Sequence, residues 1–492
     1  MCIDTGTLGA PLDARTDWRN AVWQAIGQTL AAHAIMLRDT AIVDDAISAA
    51  LLTAIDGVGR GEPPNAVGTL SLVAVFDDRV DSLIAPAAAG AVRIGRARHD
   101  VAATAGRLVI RDRLLDLAGA VNASRSALIE LAESHVFTLL PVWAGSSPLQ
   151  PTNFAHFLTG TIAPLMRVGR RLRNAYEDLD RSPMGSGALV GTGFPVDRDE
   201  LSDLLGSEGP VETTFDAVSA ADVLVTAASA AADASTPIRR LAQEFLTWLR
   251  AEPQALRLSD DLIAPADPNL PHFRPPAALE RLVATALRVE NDAEAVDRLV
   301  RSLPYGPLGE SADGALELLA EMLPRATAAH HTFRSLVSES LEINRAWFAR
   351  NAGRSLITAG DLADLLMAEE GLDPSSARTI AAQVANRALV EGSEASAITP
   401  EMIDAAALLT VGRELGIEIE RLGAYLAPRR FIEKRTVLGG PAPVTIREYL
   451  AQERSRLGED ASWLESKQRR IALAEENRQI RTQEILEAAQ SG

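Results

Sequence analysis

Ser182-Pro183-Met184-Gly185-Ser186-Gly187-Ala188-Leu189-Val190-Gly191-Thr192-Gly193-Phe194-Pro195-Val196-Asp197-Arg198 is the stretch whose reading decides the fold. Residues 181–195 carry four glycines and two prolines, a density that breaks helix and strand alike and predicts a loop. A loop so rich in glycine raises the question of phosphate binding. No Gly-Lys-Ser or Gly-Lys-Thr follows it and no strand pattern precedes it, which argues against a P-loop.

Outward from this loop the apolar spacing is helical on both sides. From Val101 onward Leu108, Leu115, Ala118, Leu128, Leu131, Ala132 and His135 keep one face apolar, with Asn122-Ala123-Ser124 offering a cap between two segments. Residues 141–151 interrupt the pattern and 153–179 resume it, with Arg167, Arg170, Arg171 and Arg173 on the polar side. Downstream, 197–206 read as a short helix, 218–249 as a long one, and 279–303 and 316–350 as two more. Toward the start, Trp18, Val22, Ile26 and Leu30 repeat at i, i+4; residues 57–64 break that helical block, and a second runs to about Gly90. From Thr358 the helices shorten, with Asp361 and Thr399 as expected caps. After Arg456 a charged helix carries Trp463, Ile471, Ile480 and Ile485, too widely spaced for a continuous seam.

Composition agrees with an all-α protein. The 492 residues are 47% hydrophobic but only 4% aromatic, and Ala and Leu cost least in a helix. A formal net charge of −18 argues against nucleic acid or an anionic membrane as partner. The lone Cys2 forms no internal disulfide and suits a reducing compartment; with no signal-like start and no apolar run long enough to span a bilayer, a cytoplasmic location is expected. His330-His331 lack i, i+4 ligand spacing, so neither metal nor cofactor is expected.

Four segments, in order, resemble the argininosuccinate lyase family of the fumarase and aspartase superfamily. The opening stretch is similar to the family's S-P-x-G-x-G-A-L-A-G-T-x-F-P-I-D-R, and Gly95-Arg96-Ala97-Arg98-His99-Asp100 to its T-G-R-S-R-N-D-Q. Thr358-Ala359-Gly360-Asp361-Leu362-Ala363-Asp364 resembles T-A-T-D-L-A-D, and Arg435-Thr436-Val437-Leu438-Gly439-Gly440-Pro441-Ala442-Pro443 resembles R-T-S-x-G-G-T-A-P. The resemblance implies an all-α, three-domain fold with a central bundle of long helices shared in a homotetramer, each active site taking loops from three subunits. On that plan the expected divisions are an N-terminal helical domain 1–107, a central bundle 108–357, a C-terminal helical domain 358–455 and a charged helical extension 456–492.

The implied chemistry is β-elimination: a base removes a proton beside a carboxylate, clamping hydrogen bonds hold the aci-carboxylate, and an acid protonates the departing nitrogen. In the family the base is a serine in G-S-S-x-M-P-x-K-x-N-P and a histidine in T-H-L-Q is the acid. This chain has Ala144-Gly145-Ser146-Ser147 at the T-H-L-Q positions, keeping only Gln150 and Pro151 of the later part. The serine loop falls on Ile263-Ala264-Pro265-Ala266-Asp267-Pro268-Asn269-Leu270-Pro271-His272-Phe273-Arg274-Pro275-Pro276, a stiff segment with five prolines that lacks both the serine and the lysine.

Two readings follow. In one, a lyase has been reworked for a carboxylated small molecule other than argininosuccinate. His99 and Asp267 are then the expected catalytic residues; Arg96, Arg98, Asp100, Ser146, Ser147, Gln150, Asn153, His272 and Arg274 are the expected substrate contacts. In the other, the chain is a non-catalytic homologue serving as scaffold or binding protein, or an enzyme repurposed for a different reaction. His135 and His156 are expected to serve in packing.

Overall fold

The computed structural model describes residues 14–491 apart from 66–67, 87, 265–267, 309 and 354–355. Helices dominate it. The first three, α1 (Ala14–Asp39), α2 (Asp45–Gly59) and α3 (Thr69–Leu83), bury Val22, Trp23, Ile26, Leu30, Leu52 and Phe76 against one another. The second helical block ends at Leu83 rather than near Gly90, and a turn leads into the long α4 (Arg98–Ser134).

At 37 residues α4 spans about 55 Å. It does not divide at Asn122-Ala123-Ser124 as expected. Buried Ser124 spends its hydroxyl on a tenth helix instead, 2.9 Å from His330 Nδ1, so the residue type that signals a cap serves here as a cross-helix contact. The interruption after α4 is a two-stranded antiparallel hairpin, β1 (Leu139–Ala144) and β2 (Ser147–Asn153), with Gly145 at φ +61 in its turn. Prolines at 141 and 151 masked this strand pair, since a two-stranded ladder leaves edges where a missing N–H costs nothing.

From the hairpin α5 (Phe154–Leu179) returns antiparallel to α4. Its start is tied to the far end of α4 by Phe154 N–H to Thr138 O at 2.8 Å, and its last residues meet Arg107 in the early turns of α4. The glycine-rich loop follows, then α6 (Arg198–Leu205), capped by Asp197 accepting from Glu200 N–H and by Gly206 at φ +68. A short α7 (Thr214–Ser219) comes next, and the long helix expected over 218–249 is α8 (Asp222–Ala251). Beyond it come β3 (Leu256–Leu258), α9 (Ala277–Arg301), α10 (Glu310–Ser335), β4 (Leu341–Ile343) paired to β3, and α11 (Arg345–Asn351). Helices α4, α5, α8, α9 and α10 form the central bundle.

A second apolar cluster, separate from the first, is built from α12 (Gly360–Ala368), α13 (Pro374–Val390), α14 (Pro400–Val411) and α15 (Ile419–Leu426), with α16 (Pro428–Glu433) beside it. Asp361 is not a helix cap, for Ala359 holds that position; the Asp361 carboxylate is buried and paired with Lys434 Nζ at 3.1 Å and Arg435 Nη2 at 2.7 Å. Thr399 stands at the cap position of α14 without a side-chain bond to the helix N–H groups. The charged C-terminal helix, α17 (Pro443–Ser491), begins before Arg456 and lies back along α4, α2 and α6. Ion pairs hold it where apolar spacing is sparse: buried Arg125 meets Glu453 and Asp460, Arg470 meets Asp180, and Lys467 meets Glu208. Among the described residues no helix is long and apolar enough to cross a membrane.

Candidate functional site

Asp100 ties two of the recognised segments together. Fully buried in the first turn of α4, its Oδ1 accepts from the N–H groups of Ala97 and Val101, each at 3.0 Å, while Oδ2 accepts from Gly187 N–H at 2.9 Å. Burial pushes its pKa up to about 6, opposed by those N–H groups and by the charge of Arg96. Gly187 has φ +61, and a Cβ there would stand 2.6 Å from Gly191 O, so the loop closes only around glycine. At Gly95, φ +70, a Cβ would meet Val196 at 2.8 Å. Residues 95–100 and 185–196 therefore interlock.

Arg96, expected to meet an anionic substrate, is instead buried against Asp77, with Nη2 2.5 Å from Oδ1 and Nε donating to Val92 O at 2.7 Å. Its charge is already compensated. Asp100, also expected to touch substrate, is spent on backbone N–H groups. Arg98 is exposed, and half-buried His99 lines a cavity of about 50 Å³ together with Thr69, Arg107 and Asp313.

The other expected residues lie at the opposite end of α4. Asn153 caps α5, accepting from His156 N–H at 2.8 Å and donating from Nδ2 to Pro441 O at 2.6 Å. His156 places Nδ1 2.8 Å from the Thr152 hydroxyl and Nε2 3.1 Å from Gly439 O, so both residues hold the 439–441 segment, as packing expected of His156. Ser146, Ser147 and Gln150 are exposed on the hairpin turn and β2. The proline-rich loop is closed by Ala264 N–H to Pro275 O at 2.9 Å; on it His272 is exposed, and exposed Arg274 reaches Asp260 at 3.1 Å. Asp267 lies outside the described residues.

This end also holds a cavity of about 480 Å³ lined by Phe137, Thr138, Asn153, Arg345 and Arg429 among others. Arg345 Nη2 donates to Ser134 O at 2.9 Å. Burial, with the Arg345 charge, brings the His135 pKa down to about 4, and burial takes His330 to about 4 and His33 to about 3. These three histidines are neutral near pH 7 and unsuited to acid catalysis there. Among the described residues no group of His, Cys, Asp or Glu converges as a metal site.

Arg107, Arg345 and Arg429 escaped the sequence reading. For Arg107 a signal existed: it lies eight residues after His99, on the same helical face. Nothing comparable marks Arg345 or Arg429.

Since α4 is about 55 Å long, His99 and the hairpin cannot converge within one chain. What one chain presents is two partial sites, one at each end of the bundle.

Comparison with known proteins gives these partial sites a class. Residues 66–289 match a family model described as Lyase. The argininosuccinate lyase of Methanoculleus marisnigri is 29% identical over 449 residues, covering 88% of this chain and 87% of the relative. Argininosuccinate lyase 2 of Agrobacterium fabrum is 29% identical over 432 residues, covering 87% and 85%. Among solved structures, EDDS lyase in complex with formate has a TM-score of 0.86 at 23% identity, covering 98% of both chains. The 3-carboxy-cis,cis-muconate lactonizing enzyme of Pseudomonas putida has a TM-score of 0.73 at 19% identity, covering 92% and 99%. The fold is thus the one these solved lyase structures share. Along most of its length the chain is similar in sequence to argininosuccinate lyases, and this similarity together with the Lyase match supports a carbon–nitrogen lyase.

Proposed function

We propose that this lyase carries out β-elimination of an amine, or the reverse addition, on a carboxylated small molecule other than argininosuccinate. One observation carries the reading: several residues that agree with the family motifs are bound to one another, while the positions exchanged in the T-H-L-Q and serine-loop motifs mostly face solvent. Asp100 grips Gly187, Arg435 grips Asp361, and Asn153 grips Pro441. The substituted T-H-L-Q and serine-loop positions, 144–147 and the described part of 263–276, lie mostly at exposed surface. The scaffold is kept while the reacting groups are exchanged.

In this reading His99 is the acid or base at one end, and Asp267 of the proline-rich segment is a base. Arg98, Ser146, Ser147, Gln150, His272 and Arg274 meet the substrate, while Arg96, Asp100 and Asn153 position the segments that do. The proton is taken from the carbon beside a carboxylate, its electrons pass into that carboxylate, and the C–N bond breaks as the nitrogen gains a proton. Because the two partial sites stand apart, a complete site requires another copy of the chain. A homotetramer of subunits with three helical domains, divided near 107 and 357, and a C-terminal extension from 456, working in the cytoplasm, supplies it.

Incubating the purified protein with N-succinyl amines and amino acids, and following fumarate, tests the proposal. Fumarate from one or more of them, but not from argininosuccinate, is expected; none from any of them overturns it.

A further inference from the structure

The cavity behind His99 has a chemistry of its own. It lies inside one chain, walled by α4 and by Leu70, Val223, Leu224 and Leu316 from α3, α8 and α10. At roughly 10–15 Å³ per water its volume of about 50 Å³ holds about four waters, the size of a two- or three-carbon carboxylate. Its polar lining is short: Thr69, His99, Arg107 and Asp313.

Arg107 is the anomaly. The residue is 8% exposed, yet among the described residues no carboxylate lies within ion-pair distance of it. Among the described residues its hydrogen bonds are two long ones from Nη1, at 3.4 Å to Leu179 O and 3.3 Å to Arg181 O, and Nε and Nη2 find no protein acceptor there. A buried guanidinium without a close ion pair is costly, and Asp216 and Asp222 act on it only at a distance. The Thr69 hydroxyl, 1% exposed, has no hydrogen-bond partner either. His99 adds a second nitrogen donor. Asp313, whose Oδ2 is buried, belongs to the same lining and stands against Gly68, whose Cβ, if present, would lie 2.5 Å from Oδ2.

We infer that this cavity is a binding site for a short-chain carboxylate, its charge held by Arg107 with His99 and Thr69, and its alkyl end against the Leu and Ala wall. The charge on Arg107 selects an anion. The apolar remainder selects a short hydrocarbon tail over a hydrated inorganic ion. This goes beyond the lyase reading and needs no turnover, so absence of fumarate release leaves it standing and absence of binding leaves the lyase reading standing.

The probe is sodium propionate, with propionamide and sodium chloride as controls, read by thermal melting and by calorimetric titration of the full-length protein. Propionate is expected to raise the melting temperature saturably in the millimolar range, with no effect from either control. Arg107→Gln, which removes the charge and keeps an amide donor, should weaken binding at least tenfold. Ala103→Leu, which fills the cavity from a helix-favouring position, should abolish it, and this variant keeps the test decisive should Arg107→Gln not fold. No saturable effect on the parent protein, an equal effect of propionamide, or unchanged binding in Ala103→Leu overturns the inference.

Discussion

Asp100→Asn isolates the contact that joins the start of α4 to the glycine-rich loop. The carboxylate is fully buried and its pKa is raised from the ordinary 3.8 to about 6. Between those two values the folded chain holds a proton that the unfolded chain has released. The stabilisation is therefore fully present below pH 3.8 and is lost as pH rises through about 6. At 1.36 kcal/mol per pH unit the rise corresponds to roughly 3 kcal/mol. Asparagine does not titrate, so the stability difference between parent and variant should shift by about that amount from pH 4 to pH 7.5, in favour of the variant at the upper end. The variant also sets an amide N–H against Gly187 N–H in place of an acceptor, which frees the loop. Denaturant melts across that pH range, with hydrogen exchange at the Gly187 amide, measure both effects. Parallel pH profiles for the two proteins, or unchanged exchange at Gly187, would refute the reasoning.

Three further substitutions probe the scaffold. Gly187→Ala forces a side chain into the left-handed region, costing about 1–2 kcal/mol before its contact with Gly191 O is counted; fumarate release should fall more steeply than stability. Ser124→Ala leaves buried His330 Nδ1 without its hydroxyl partner and should lower denaturant stability by about 1–3 kcal/mol with turnover unchanged. Asp361→Ala releases Lys434 and Arg435, each partly exposed; a loss of about 2 kcal/mol confined to the α12–α16 cluster should appear as an early transition in calorimetry.

Much of this architecture could be read from residues alone, because local rules were obeyed. Asp197 and Gly206 bracket α6 as a cap and a left-handed stop should, and Gly185, Gly187 and Gly191 all have positive φ in a loop predicted from their density. Reading failed where a residue's partner lies far along the chain. Ser124 signals a cap locally and is spent on His330, 206 residues away. Arg96 looks like an anion ligand and is neutralised by Asp77. The sparse apolar spacing of α17 gave no hint of where it docks, since its register is set by ion pairs to Asp180, Glu208 and Arg125. The site was legible as segments but not as a geometry: nothing local states that His99 and Ser147 lie at opposite ends of a helix about 55 Å long.

The central claim is that the family scaffold is retained while the reacting groups serve another substrate. Measuring kcat/KM for argininosuccinate beside that for the best N-succinyl compound, on the same preparation, tests it most directly. The account predicts that argininosuccinate is poorer by a factor of about 10³ or more, corresponding to roughly 4 kcal/mol of lost transition-state stabilisation. Argininosuccinate cleaved as well as or better than every other compound would contradict it.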